Sequence, residues 1–128
     1  MNNSKLIDNF NRHLNYLRIS ITDRCNLQCR YCEPQDLIPK LSHTEILTYE
    51  EILKVVRIAT HLGVSKVRVT GGEPLVRKGV YEFLNELTAT EGLKDVSLTT
   101  NGVMLKDNLE KIQAAGISRI NISLDTLN

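Results

Sequence analysis

Lys66-Val67-Arg68-Val69-Thr70-Gly71-Gly72-Glu73-Pro74, KVRVTGGEP, begins as a strand and ends in a double-glycine turn. Val67 and Val69 alternate with Lys66, Arg68 and Thr70, and alternate residues of a strand point to opposite faces. The same pattern returns along the chain. Leu17, Ile19 and Ile21 alternate with Arg18, Ser20 and Thr22, and Val96 and Leu98 with Ser97 and Thr99. In Arg119–Leu124 the apolar set is Ile120, Ile122 and Leu124, opposed to Asn121, Ser123 and Asp125.

Helical spacing separates these strands. Tyr49–Leu62 is predicted as a helix, with Thr48 as N-cap, Glu51 completing a capping box and Gly63 at the C′ position. Its apolar stripe is Ile52, Val55, Val56, Ala59 and Leu62. Gly79–Ala89 is predicted to face inward through Val80, Phe83, Leu84 and Leu87, and a third helix covers Leu105–Ala115 before Gly116.

Strand–helix alternation implies right-handed βα crossovers and a parallel sheet. Parallel strands covered on both faces read as unbroken apolar runs, and these do not. The fold expected is therefore α/β, with parallel βα units forming the N-terminal part of a partial (β/α)6 TIM-like barrel whose concave face is polar and holds a ligand. An open sheet with one solvated face is the alternative. Residues 1–16 are expected to form a loose polar lead-in, and 17–128 the βα domain. Arg119–Leu124 would be an exposed apolar edge, so the chain is expected to be the N-terminal portion of a longer barrel.

A chain of 128 residues suffices for one domain with a core. Its net charge of +1 gives no electrostatic reason to expect nucleic acid or an anionic membrane as partner. The start, MNNSKLIDNFNRH, lacks the apolar stretch of a signal peptide, and no run reaches membrane-spanning length. With all 3 cysteines clustered in Cys25–Cys32, CNLQCRYC, the expected compartment is the reducing cytoplasm.

That cluster, C-x3-C-x2-C, follows the C-terminal end of the first strand, where βα-loops build active sites. Zinc would need a fourth ligand from His13, His43 or His61. Buried core thiols would not be interleaved with Asn26, Gln28 and Arg30. A cubane iron–sulfur cluster fits better, because three thiolates on four irons leave one iron open to a ligand. In the turn after the second strand, Gly71 and Gly72 allow close backbone approach to a ligand, or simply a tight βα turn.

CNLQCRYC resembles the signature of the radical S-adenosylmethionine (SAM) enzymes, with Tyr31 as the aromatic residue. The resemblance implies that Cys25, Cys29 and Cys32 bind a 4Fe–4S cluster and that Tyr31, Gly72 and Ser123 contact SAM. Gly71 and Glu73 of the same glycine motif are implied as weaker SAM contacts. A 5′-deoxyadenosyl radical would then carry the chemistry.

YLRISITDRCNLQCRYCEP, LTYEEI, KVRVTGGEPLVRKG, LTTNG and INISLDTL together resemble the GTP 3′,8-cyclase branch of that superfamily, which serves molybdenum cofactor biosynthesis. By that resemblance Arg18, Arg68 and Thr99 bind GTP. Independently, two arginines on the polar face of neighbouring strands could clamp a triphosphate, or pair with Asp125 or Glu73. No further catalytic residue is implied beyond the cluster and cofactor ligands. The resemblance also implies a reductase or flavodoxin/ferredoxin-type electron donor, a hand-over to the next enzyme of the pathway, and a homodimer. Two residues depart from the branch, Asn11 for its usual Gly and Glu33 for its usual Met. The branch's second 4Fe–4S cluster and its Gly-Gly tail have no counterpart here, so the full reaction is expected only of a longer protein. Another radical SAM enzyme, such as a peptide-modifying maturase, and a small zinc-stabilised interaction module are the alternatives.

Overall fold

The computed structural model describes residues 5–25, 42 and 44–124. Its elements are β1 (Tyr16–Ser20), α1 (Tyr49–His61), β2 (Lys66–Thr70), a 3-10 turn (Pro74–Val76), α2 (Val80–Thr88), β3 (Asp95–Thr100), α3 (Leu105–Ala114) and β4 (Arg119–Ile122). The strands pair in parallel in the order β1-β2-β3-β4. A doubly wound sheet would reverse its order at a switch point. Here each strand joins the same side of the one before it, the progression that builds a barrel.

The register sorts the sheet into rows. Ile19, Val69, Leu98 and Ile120 lie side by side, flanked by the row Leu17, Val67 and Val96. These apolar rows form one core with Ile52, Leu53 and Val56 of α1, Phe83, Leu84 and Leu87 of α2, and Ile112 of α3. All three helices thus cover one face, and the polar rows lie on the other.

Local chemistry explains the elements. The Thr48 hydroxyl accepts from the Glu51 amide at 3.1 Å while Glu51 accepts from the Thr48 amide at 2.7 Å, a complete capping box. The α2 stripe is as its periodicity predicts, with Val80, Phe83, Leu84 and Leu87 buried. In α1 the inward set is rotated: Leu53 is buried and Val55 is 50% exposed. Both residues fit a helical stripe, and only the packing against β2 and α2 selects between them. Tyr49 ties α1 to α2 by stacking on Phe83 with ring centroids 4.6 Å apart and by donating to the Lys78 carbonyl at 2.9 Å. Burial pushes its phenol up to about 12, partly offset by the Arg77 guanidinium lying 4.0 Å from the ring centroid.

The lead-in departs from expectation, because its described part is an ordered turn. Ile7 bridges His13, and the Leu6 amide donates to the Leu62 carbonyl at the end of α1. Asp8 caps the turn by accepting from the Arg12 and Phe10 amides, both at 2.9 Å. Those donors and the Arg12 guanidinium hold its carboxyl below the ordinary carboxylate value.

β4 is shorter than predicted, and Ile122 and Leu124 are 56% and 67% exposed. Only Ile120 gains cover from α3, and a cleft lined by Leu109, Ile112, Ile117 and Ile120 stays open between them. Among the described residues no helix is long and apolar enough to cross a membrane.

Candidate active site

The C-terminal ends of β1, β2 and β3 are bound to one another by the residues just beyond them. The Gly72 amide donates to the Thr22 carbonyl at 2.8 Å, and the Glu73 amide to the Arg24 carbonyl at 2.7 Å. The chain leading into Cys25 is therefore paired onto the TGGEP turn. The two glycines make room for it: a Cβ on Gly72 would stand 2.2 Å from the Arg24 carbonyl oxygen, and one on Gly71 2.7 Å from that of Thr22. What approaches these glycines is the chain's own backbone, contact that their local sequence does not show.

Glu73 is 1% exposed. Its carboxylate accepts from the Thr100 hydroxyl at 2.7 Å, the Asn101 amide at 2.7 Å and the Leu75 amide at 3.2 Å. Among the described residues this carboxylate is bonded to the end of β3 and to the 3-10 turn. A buried carboxylate is tolerated when such donors surround it.

Beyond β3, the Asn101 side chain donates through Nδ2 to Cys25 Sγ at 3.8 Å, joining residues 76 positions apart. LTTNG contains this asparagine, but sequence reasoning took only Thr99 from it; the signal available was an amide side chain at the C-terminal end of a strand. Cys25 is half-buried. Cys29, Tyr31, Cys32 and Glu33 lie outside the described residues, as do His43 and Asp125. His13 and His61 sit near the N-terminal ends of the strands, across the sheet's length from Cys25.

The polar face carries Arg18, Arg68, Ser97 and Arg119 in one row and Ser20, Thr70, Thr99 and Asn121 in the next. Arg18 stands directly opposite Arg68. Arg119 pairs with Asp95 at 3.4 Å, whereas Arg18 and Arg68 meet no carboxylate among the described residues, Glu73 included. Neutral groups hold Arg68: its Nε donates to Ser97 Oγ at 3.4 Å, and with the Asn121 amide turned so that its oxygen faces the guanidinium, Nη1 and Nη2 donate to that oxygen at 3.0 and 3.1 Å. Its guanidinium also lies 5.8 Å from the Tyr16 ring centroid. Positioned by neutral partners, it carries a charge that is uncompensated among the described residues. Thr99 Oγ1 is shielded from solvent and has no hydrogen-bond partner among the described residues. Ser123 is exposed at the end of β4, its amide donating to the Thr100 carbonyl at 2.9 Å. Arg18, Arg68 and Thr99 thus share one face, while Cys25, Gly72 and Ser123 follow the C-terminal ends of β1, β2 and β4 along its rim.

Residues 19–128 match the Radical SAM superfamily. A GTP 3′,8-cyclase of Peptoclostridium acidaminophilum is 54% identical over 127 residues, covering 99% of this chain and 39% of that protein. One from Thermodesulfovibrio yellowstonii is 55% identical over 122 residues, 94% of this chain and 38% of the relative. The chain thus spans 39% or less of the length of these relatives. Among solved structures, BtrN in an open conformation superposes with a TM-score of 0.65 at 19% identity, over 89% of this chain and 51% of that one. BtrN in complex with AdoMet and 2-DOIA gives 0.62 at 18% identity, over 84% and 44%. At such identity the likeness shows a shared fold.

Proposed function

The chain belongs to the Radical SAM superfamily, and from that premise we propose that it forms the cluster, cofactor and triphosphate side of a GTP 3′,8-cyclase. The reaction would convert GTP to (8S)-3′,8-cyclo-7,8-dihydroguanosine 5′-triphosphate in molybdenum cofactor biosynthesis. One observation carries the substrate half: Arg18 and Arg68 face each other in register with no carboxylate between them among the described residues. Like charges directly opposite each other are destabilising. A bound triphosphate replaces that repulsion with charge-assisted, bidentate contacts. Thr99 Oγ1 on the adjoining row, without a partner among the described residues, supports a ligand over the same face, since a buried hydroxyl without a partner costs about 1–3 kcal/mol.

Cys25, Cys29 and Cys32 would hold the 4Fe–4S cluster, and Tyr31, Gly72 and Ser123 the SAM. The amide donor at Cys25 Sγ suits a thiolate ligand. When bound and reduced, the cluster and SAM supply a 5′-deoxyadenosyl radical. Gly71 and Glu73 act on the fold side of the site, pinning the entry to the cysteine loop and the end of β3. An electron donor of the reductase or flavodoxin/ferredoxin type, a second cluster within the relatives' remaining length, the next pathway enzyme as recipient, a homodimer and a cytoplasmic setting complete the proposal.

Calorimetric titration with GTP tests it. Arg18→Ala and Arg68→Ala should each weaken binding by about tenfold, the worth of one hydrogen bond to a charged group, while reductive cleavage of SAM persists. GTP affinity unchanged in the double variant would point to a different radical SAM substrate.

A further inference from the structure

We propose that Asn101 is a positioning residue for the cluster: its Nδ2–H holds the Cys25 sulfur as a hydrogen-bonded thiolate and makes the cluster easier to reduce. The inference rests on the reading that Cys25 ligates the 4Fe–4S cluster.

Three features aim this donor. The Nδ2 to Sγ distance is 3.8 Å. The amide's orientation is set by its other end, because Asn101 Oδ1 accepts from the Val103 amide at 3.1 Å. Turning the amide over would set an N–H against that N–H and leave the sulfur facing an oxygen. The backbone is held as well, since the Asn101 amide donates to Glu73 Oε2 at 2.7 Å. Glu73 in turn donates its own amide to the carbonyl of Arg24, the residue before Cys25, at 2.7 Å. The hydrogen bonds therefore close a ring from Arg24 through Glu73 and Asn101 to Cys25, drawing on the ends of three strands. Donor and sulfur are positioned by the same buried residue, Glu73: its carboxylate holds Asn101 and its backbone amide holds the chain entering Cys25.

The electrostatic consequence follows from where charge goes. Reduction adds an electron whose density is shared by the cluster and its sulfur ligands, and an N–H dipole aimed at one of those sulfurs stabilises that added charge. Asn101 therefore favours the reduced form and raises the potential.

The test is a redox titration, followed by electron paramagnetic resonance, of the reconstituted full chain without SAM. Asn101→Ser is neutral and able to accept from the Val103 amide, but too short to reach the sulfur. It should reduce the ratio of reduced to oxidised cluster at a fixed potential by about tenfold, equivalent to a fall of about 59 mV for a one-electron couple. Asn101→Asp keeps the Val103 bond, replaces the donor with an acceptor and should fall at least as far. Equal midpoints and spectra in the wild type and Asn101→Ser overturn the inference. A wild type that takes up zinc and no cluster overturns the reading beneath it instead. Should a variant fail to load, the wild type decides through electron–nuclear double resonance: coupling of the reduced cluster to isotopically labelled asparagine side-chain nitrogen supports the inference, and its absence overturns it.

Discussion

Gly72 shows how far a single residue's meaning depends on a distant one. Its sequence context suggests close backbone approach or a tight turn, and the space a Cβ would take is filled by the Arg24 carbonyl. Gly72→Ala should therefore act first on the chain leading to Cys25. The added methyl cannot be accommodated without moving that backbone, at a cost of about 1–3 kcal/mol, with a parallel loss of bound iron per chain; thermal unfolding and iron analysis measure both. A variant that melts like the wild type and loads normally would show that the backbone yields. Asn11 is the opposite case, a residue whose oddity becomes intelligible. It stands where glycine is usual in the branch the sequence resembles, and its φ is +64°, a conformation that glycine takes freely and asparagine tolerates better than most residues. The hydrogen bonds of Glu73 were not legible in the sequence, because its three donors lie in the 3-10 turn, at the end of β3 and just beyond it.

Elements were readable where the signal is local. The α1 capping box is contained in four consecutive residues, and the structure forms both of its hydrogen bonds. Thr48→Ala should lower stability by about 1 kcal/mol, and a denaturant midpoint shifted at unchanged slope is the expected reading; no shift would mean that packing alone holds α1. The α2 stripe was equally local. Which of Leu53 and Val55 turns inward was not, since both satisfy the period and the neighbouring elements decide. The lead-in was misread for a related reason: its order comes from the Asp8 side chain and from the end of α1, a partner distant in sequence. Ile122 at the end of β4 and Leu124 beyond it are exposed, because cover from a helix, and not the pattern itself, determines burial.

For the molecule as a whole, alternation in every strand foretold that one face would be apolar and the other polar, and the register bears this out row by row. The clasp of Arg68 by Ser97 and Asn121 needed that register to become visible. The core joins strands, helices and the 3-10 turn, and among the described residues it contains no cysteine. Stripping iron with a chelator should accordingly leave the far-ultraviolet circular dichroism unchanged, whereas a zinc-stabilised module would unfold. The same division sets a chronology for the protein's maturation. Pairing of β1 with β2 brings Thr22 and Arg24 onto the glycine turn, so Cys25 loses its backbone freedom, about 1–2 kcal/mol per residue, during folding. On the proposed ligation, iron would then arrive late, at a first sulfur already stationed with its hydrogen-bond donor beside it, a landing post built in advance.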